Sequence, residues 1–315
     1  NGIGSEDIRS SFDFDGPGTY NPSVEDNACG CTDPEASNYD DSADYDDGSC
    51  DYNVYGCTDE MACNFNGMAT EDDGSCEFLN QNTKPLFLQA HHFYDSLTFY
   101  LDSSYNDDFG TKIKFNRASF YLGKNGFYDE NNISIDDTVN HMLIHPDENV
   151  YQIGHISNID NIKSEFYIGV DSIRNHINPA NYMSNNSLSY QTPSTHWQMG
   201  SNPINWSYLF IIIEGSADSN SNGIFETNEN FIFHIGGDQY ISNIYKINST
   251  VIDNLQSNNL IGVIPNSYSI NIDLNWASII NNIDIKNSQS THGGGNVQLA
   301  EKIVNNCDYL IYEHF

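Results

Sequence analysis

The sequence predicts an all-β protein: a β-sandwich-like domain with one or two short helices, preceded by small, disulfide-stapled, loop-rich repeats. Three observations carry this reading. From about residue 83 onward, runs of aromatic and β-branched residues recur, each five to twelve residues long. Asn, Asp, Ser and Gly separate them at short intervals, the texture of strands joined by turns. Six of the seven cysteines fall between residues 29 and 76, in an acidic stretch.

Composition narrows the class further. The 315 residues hold 11 Lys+Arg against 44 Asp+Glu, a net charge of −33. Nucleic acid and anionic membranes are recognised by cationic patches, so neither is an expected partner. Cations are: Ca²⁺, other metal ions or a basic partner. Aromatic residues make up 13%, enough to build a core. No apolar run is long enough to span a membrane. Cysteine usage points to an oxidising compartment: secreted, extracellular or cell-surface, the periplasm included. The chain begins at Asn1 rather than Met, which reads as a processed form.

Residues 1–28 form a polar N-terminal segment ending in a degenerate repeat near Tyr20–Gly30. Residues 29–80 hold two acidic, Cys-rich repeats. Cys31-Thr-Asp33 … Asp46-Asp47-Gly48-Ser49-Cys50 aligns with Cys57-Thr-Asp59 … Asp72-Asp73-Gly74-Ser75-Cys76 at a spacing of 26. Units this small bury too little and need staples. The repeat itself suggests Cys31–Cys50 and Cys57–Cys76, each unit closing on itself, with Cys29–Cys63 left as a cross-link. Each closure contributes on the order of 3 kcal/mol. Six cysteines allow 15 connectivities. Zinc is the rival reading, but the segment has no C-x2-C pair and no histidine. Asp46, Asp47, Asp72 and Asp73 are weak candidate Ca²⁺ ligands; the alternative is a solvated acidic turn. These units resemble the GCTD…DDGSC repeats of secreted and surface proteins of Gram-negative bacteria, where they look like stalks or spacers.

Residues 81–315 form the β domain. Strands are expected at Leu86–His92, Ser96–Leu101, Thr111–Leu122, Val150–His155, Ser164–Val170, Ser207–Ile213, Phe231–Ile235, Ile241–Ile247 and Ser269–Leu274. Helices are expected at Thr250–Gln256 and at Asn296–Asn305, where Val297, Leu299, Ala300, Ile303 and Val304 keep a helical stripe. A last strand follows near Tyr309. Cys307 is either buried and free or linked elsewhere.

The hairpin of Tyr208–Ile213 and Phe231–Ile235 encloses a complete D-x-D/N-x-D/N-G-x5-E frame. Asp218, Asn220, Asn222, the Ile224 carbonyl, Glu226 and Glu229 supply the six oxygens that Ca²⁺ takes, and Gly223 makes the sharp turn. No good helix flanks the loop, so it is an EF-type loop between strands; a plain polar hairpin loop is the alternative. On the second strand Phe231, Phe233 and Ile235 share one face, and Ile232 and His234 the other.

Several segments, in order, resemble the MbnP-like copper-binding family over about residues 85–315. Leu88-Gln-Ala-His91-His92 resembles its opening strand, and Ile113–Leu122 the strand after it. Phe166-Tyr-Ile-Gly169-Val170-Asp171 matches its GVD segment, Ile211-Ile-Ile-Glu214-Gly215 its EG segment and Phe231-Ile-Phe-His234-Ile-Gly236 its FHIG segment. His196-Trp197-Gln-Met199 and Trp206-Ser-Tyr208 stand at its W-x-W segment, with Met199 in place of the second Trp. The resemblance implies a secreted β-sandwich-like domain binding copper through histidines, chemistry that suits imidazole. In some members a di-haem peroxidase-like partner oxidises a tryptophan to kynurenine, which joins the site; an outer-membrane complex is the other partner it implies.

Of the ten histidines, the copper candidates are His91, His92, His196 beside Trp197, His234 and His292. His141, His145, His155 and His176 sit in loops or at strand ends, and His314 is terminal; these read as ordinary. The alternative function is a non-catalytic surface structural or adhesive protein with Ca²⁺-rigidified modules and a vestigial copper site. No G-x-S-x-G, HExxH or Cys/His nucleophile pattern favours an enzyme.

Overall fold

The structure, a computed structural model, describes residues 28–59, 62, 66, 68–76, 83–136, 140–157, 159–199, 205–253, 267–292 and 295–313. The degenerate repeat upstream of residue 28, and His314, lie outside them. Contacts divide the chain at Tyr52/Asn53. The first repeat therefore stands in one unit, and the second repeat belongs with the β domain in the other.

Each repeat is a pair of two-residue strands closed by its disulfide. In the first, β1 (Cys29–Gly30) runs parallel to β2 (Tyr45–Asp46), and Cys31–Cys50 is bonded at 2.07 Å. In the second, β3 (Tyr55–Gly56) runs parallel to β4 (Glu71–Asp72), and Cys57–Cys76 is bonded at 2.05 Å. Every paired position is offset by the sequence period. Cystine and one alanine form each miniature core: Cys31, Ala36, Cys57 and Ala62 are buried. The Tyr52 hydroxyl donates to Asp33 at 2.6 Å, and that bond pushes its ionisation up to about 12. Cys29 is exposed with a free thiol; its expected partner Cys63 lies outside the described residues. Cys307 is buried and free.

The β domain continues with β5 (Thr83–Tyr94), β6 (Leu97–Thr98), β7 (Ser104–Asn106), β8 (Lys112–Tyr128), β9 (Ser134–Asp136), β10 (Asn140–Ile144), β11 (Val150–Ser157) and β12 (Asn161–Ile168). Then come α1 (Ser172–Asn175), β13 (His196–Met199), β14 (Asn205–Ala217), β15 (Asn230–Gly236), β16 (Tyr245–Thr250), β17 (Ile252–Asp253) and β18 (Tyr268–Asn275). β19 (Ser290–Thr291), α2 (Val297–Asn306) and β20 (Ile311–Glu313) complete it. Among the described residues these make two sheets. A ten-stranded sheet runs β16-β12-β8-β14-β15-β19, with β7, β9 and β10 also on β8 and β13 on β14. A six-stranded sheet runs β11-β5-β18-β17, with β6 on β5 and β20 on β18.

One core joins both sheets, which is the sandwich the strand pattern predicts. Leu86, Leu88 and Ala90 of β5 and Ile270, Ile272 and Leu274 of β18 share it with Phe115, Phe120, Phe231 and Phe233 of the large sheet. Trp276, just past β18, stacks on Phe99 at 5.5 Å and tilts against Phe120 at 5.5 Å. The run Tyr208–Ile213 is buried on both faces, as continuous apolar strands are.

Local chemistry explains the element boundaries. Asp171 caps α1 by accepting from Ile173 and Arg174 N–H, and Asn296 caps α2 by accepting from Leu299 N–H, the role Asp and Asn favour. α2 matches the expected helix. The other expected helix, from Thr250, is instead strand: Thr250 ends β16 and Ile252–Asp253 is β17. Thr250, Val251 and Ile252 are three β-branched residues in a row, stiff at χ1 and suited to extended backbone. The remainder of that stretch is outside the described residues. The strand expected at Ser96–Leu101 shrinks to two residues after a turn at Asp95, whose φ is +53°.

A bulge between Glu214 and Gly215 shifts the β14–β8 register. A methyl at Gly215 would sit 2.2 Å from the Lys114 carbonyl oxygen and 2.4 Å from Phe231 Cζ. Gly215→Ala therefore forces the bulge or Phe231 to move. We expect a loss of about 1–3 kcal/mol, the usual range for overpacking, read as a lower urea midpoint at unchanged m-value. A midpoint equal to wild type would show that the bulge is not packed this way.

Candidate metal centre

The alternation of β15 places His234. Phe231, Phe233 and Ile235 are fully buried, which turns Ile232 and His234 to the outer face of the large sheet. Ile212 of β14 pairs with His234 and Glu214 follows two residues on, so Glu214 shares that face as a diagonal neighbour. Its Oε1 lies 2.9 Å from His234 Nε2. From the other side, Arg117 of β8, opposite Glu214, donates to the same oxygen at 3.0 Å. Arg117 also donates to the Pro193 and Ser194 carbonyls, at 3.2 and 2.8 Å, tying down the segment that leads into β13. The His234 hydrogen bond, followed by the Arg117 charge, holds the half-buried Glu214 carboxyl below its ordinary range. A charged Glu214 accepts from His234 Nε2–H, which leaves Nδ1 with its lone pair.

His292 follows β19, which runs parallel to β15 with Phe233 opposite Thr291. That register brings the two imidazoles together, stacked at 5.2 Å between centroids with 29° between planes. Trp197 reaches the same face from β13: its Cζ2 stands 3.3 Å from where a Gly236 Cβ would be. Gly236 thus leaves room for an indole two residues along the strand from His234. The indole Nε1 is buried without a hydrogen-bond partner among the described residues.

The other candidates lie elsewhere. His196 sits at centroid distances of 5.0 Å from Tyr190, 5.5 Å from Trp206 and 6.3 Å from Tyr208. Burial holds its pKa below the ordinary value. His92 belongs to the core parity of β5, with Leu86, Leu88, Ala90 and Tyr94. Both its nitrogens are engaged: Trp276 Nε1–H donates to Nδ1 at 3.0 Å, and Nε2 meets the Glu148 carbonyl at 3.1 Å. His91, on the opposite face, contacts Asn271 Oδ1 at 3.3 Å. The expected convergence of His234 with the opening strand and with His196 is therefore not met. No group of three or more His, Cys, Asp or Glu side chains is placed to hold a metal ion among the described residues. Of the other candidates, His292 is the one delivered to His234. The only local signal for it is its place just after a β-capable Ser-Thr pair.

The 218–229 loop closes on itself in the EF manner. Asp218 accepts from Asn222 and Gly223 N–H, both at 2.8 Å. Glu229 accepts from Asn220 N–H at 3.1 Å and Glu226 N–H at 3.3 Å. Both carboxylates are buried, at 7% and 5% exposure, while the Ile224 side chain points to solvent at 61%. Gly223 takes a φ of +82°. The Asn220 and Asn222 amides lean on Glu226 at 3.4 and 3.2 Å. In the repeats, by contrast, Asp46, Asp47, Asp72 and Asp73 accept from Gly48, Ser49, Gly74 and Ser75 N–H at 2.9–3.0 Å. Their carboxylates build the DDGSC turns.

Fold and face together define a β-sandwich protein that presents a carboxylate-anchored histidine pair on its larger sheet. The chain belongs to the MbnP family, whose model matches residues 83–296. Among solved structures it is similar to MbnP from Methylosinus trichosporium, at 12% identity and a TM-score of 0.37, over 62% of this chain and 77% of that one. No curated protein matches it.

Buried histidines make stability depend on pH. Burial lowers the pKa of His92 from 6.5 to about 4, and that of His141 from 6.5 to about 4. An unfolded imidazole takes up a proton below about 6.5, which the folded site resists down to about 4. Stability is thus complete above the upper value and falls as pH drops through the window. For His92 the total is on the order of 3 kcal/mol. Urea midpoints at pH 7, 5.5 and 4 should decline in that order, and His92→Gln should flatten part of the slope. A flat wild-type profile would contradict the burial.

Proposed function

We propose that this protein is a non-catalytic, extracellular or surface-exposed copper-binding protein with a structural Ca²⁺ loop. The single observation behind the copper reading is the His234–His292 pair, with Glu214 and Arg117 behind His234. Imidazole ligands bound at about 2 Å to one ion have ring centres within about 6 Å of each other, and these stand at 5.2 Å. Two imidazoles suit copper above other divalent first-row metals. The carboxylate behind His234 sets its tautomer and ring orientation, a common feature of metal-ligating histidines. Trp197 lies beside the pair with a buried Nε1 that has no partner among the described residues, so it is the tryptophan that a di-haem oxidising partner of the kind the family resemblance implies would act on. When bound, copper supplies a Lewis-acidic, redox-capable centre; this chain's part is to hold two nitrogens in place on a rigid sheet.

The 218–229 loop supports the calcium half of the reading. Its Asp218 and Glu229 carboxylates are both buried and bonded into the same loop, and a Ca²⁺ held by them would clamp the hairpin that carries His234. Two formed disulfides fit an oxidising compartment, and no helix among the described residues is long and apolar enough to cross a membrane.

Copper titration of the metal-free protein should show one site. His234→Ala and His292→Ala should each lower affinity by at least about tenfold, and Glu214→Gln by about 10–100-fold, the range for outer-shell partners; His196→Ala should change little. Absence of copper binding by the folded protein would favour the structural, adhesive reading instead. Separately, chelating Ca²⁺ should lower the melting temperature of wild type but not of Glu229→Gln. Equal melting of wild type with and without chelator would remove calcium from the proposal.

A further inference from the structure

Trp197 reaches Gly236 from a short strand with little pairing of its own. β13 has four residues, and among the described residues β14 is its one strand partner. A two-stranded ribbon by itself is marginal in water. The chain that leads into β13 has to supply the rest.

Three groups grip that lead-in. Leu209 N–H donates to the Thr195 carbonyl at 2.8 Å. In the interior, the Thr195 hydroxyl bonds the Tyr121 hydroxyl at 2.7 Å. Arg117 donates to the Pro193 carbonyl at 3.2 Å and the Ser194 carbonyl at 2.8 Å. The first two hold Thr195 alone. Arg117 holds the two residues before it, and it does so from the face that carries Glu214 and His234.

The two arms of the Arg117 guanidinium serve different elements. Nη1 donates to Glu214 Oε1 at 3.0 Å, and that same oxygen lies 2.9 Å from His234 Nε2. Nη2 serves the Pro193 and Ser194 carbonyls. A guanidinium carries five donors in one rigid plane, so fixing one arm fixes the other. The carboxylate behind the imidazole is thereby joined, through one side chain, to the backbone that carries Trp197. The Arg117 side chain is 18% exposed, so the junction is largely shielded from water, where hydrogen bonds are stronger. A lysine ammonium is a point charge on a flexible stem and does not hold two elements in one plane.

We propose that Arg117 is the positioning residue of the His234 face: it sets Trp197 in place relative to His234 by tying the Glu214 carboxylate to the Pro193–Ser194 backbone. The relevance to copper rests on the function proposed above; the tie itself belongs to the metal-free chain. Trp197 and His234 then move as one unit, although they sit on different strands.

Hydrogen exchange of the indole N–H groups, followed by NMR in the full-length, metal-free chain, tests this. Trp197→Phe identifies the Trp197 signal. Arg117→Lys keeps a cation beside Glu214 but gives up the fork. It should speed exchange at Trp197 by at least about tenfold, the scale of one charge-assisted hydrogen bond. Trp276 is the internal control: its indole donates to His92 in the core at 3.0 Å, and its exchange should keep the wild-type rate. Unchanged exchange at Trp197 would overturn the proposal. Equal acceleration at Trp197 and Trp276 would overturn it too, since that marks general loosening. The same variant should weaken copper binding by about tenfold, the lower end of the range for groups behind a ligand. Copper bound as tightly by Arg117→Lys as by wild type would also overturn it. A wild-type chain that binds no copper would instead remove the copper reading, and the exchange contrast, taken without metal, would still decide whether Arg117 places Trp197.

Discussion

The register of β14 between β8 and β15 governs this structure. Ile212 faces both Ser119 and His234, and Ile213 faces both Ala118 and Phe233. A strand has a side-chain period of two, so a slip of one residue would carry His234 into the core and Phe233 out of it. Burial of Phe231, Phe233 and Ile235 opposes that slip. Each full burial contributes roughly 1.5–3 kcal/mol, far more than one exposed hydrogen bond. The aromatic core is thus what aims the imidazole outward.

On the outer face the same register lines up Arg117, Glu214 and His234 on three adjacent strands. One carboxylate oxygen serves both a guanidinium and an imidazole. In the low dielectric of a half-buried face such an arrangement is stiff, because moving any member leaves a partly buried charge unpaired. Glycine makes the close approach feasible: Gly215 admits the bulge beside Glu214, and Gly236 admits the Trp197 ring. The EG and FHIG segments therefore have a mechanical reading, a polar residue to act and a glycine to make space. The hairpin loop from Asp218 to Glu229 holds the far end of the same two strands.

Histidines of similar sequence context end in unlike places. His91 and His92 are neighbours, but parity sends His92 into the core between Trp276 and Glu148 and turns His91 to the other face. His196 and Trp197 divide in the same way, the imidazole into an aromatic cluster and the indole toward Gly236. Burial desolvates both imidazoles and favours their neutral form; what takes His92 out of reach is that Trp276 and the Glu148 carbonyl engage both of its nitrogens. Near-neighbours thus carry opposite roles, which a resemblance spanning both cannot separate.

What the sequence determined by itself was periodic or local. The 26-residue repeat led to both disulfides, since bonding within a unit needs only nearby chain. Alternation in Phe231–Ile235 predicted the outward turn of His234, because side-chain direction in a strand follows from parity alone. The spacing from Asp218 to Glu229 specified a self-closing loop, and the stripe over residues 296–305 a helix. The tertiary structure alone decided which imidazole meets His234. His292 arrives through a parallel pairing of β19 with β15, a long-range contact that the β-capable Ser-Thr pair before it does not specify. Local backbone preference sets where side chains point; only packing between distant strands sets what they point at.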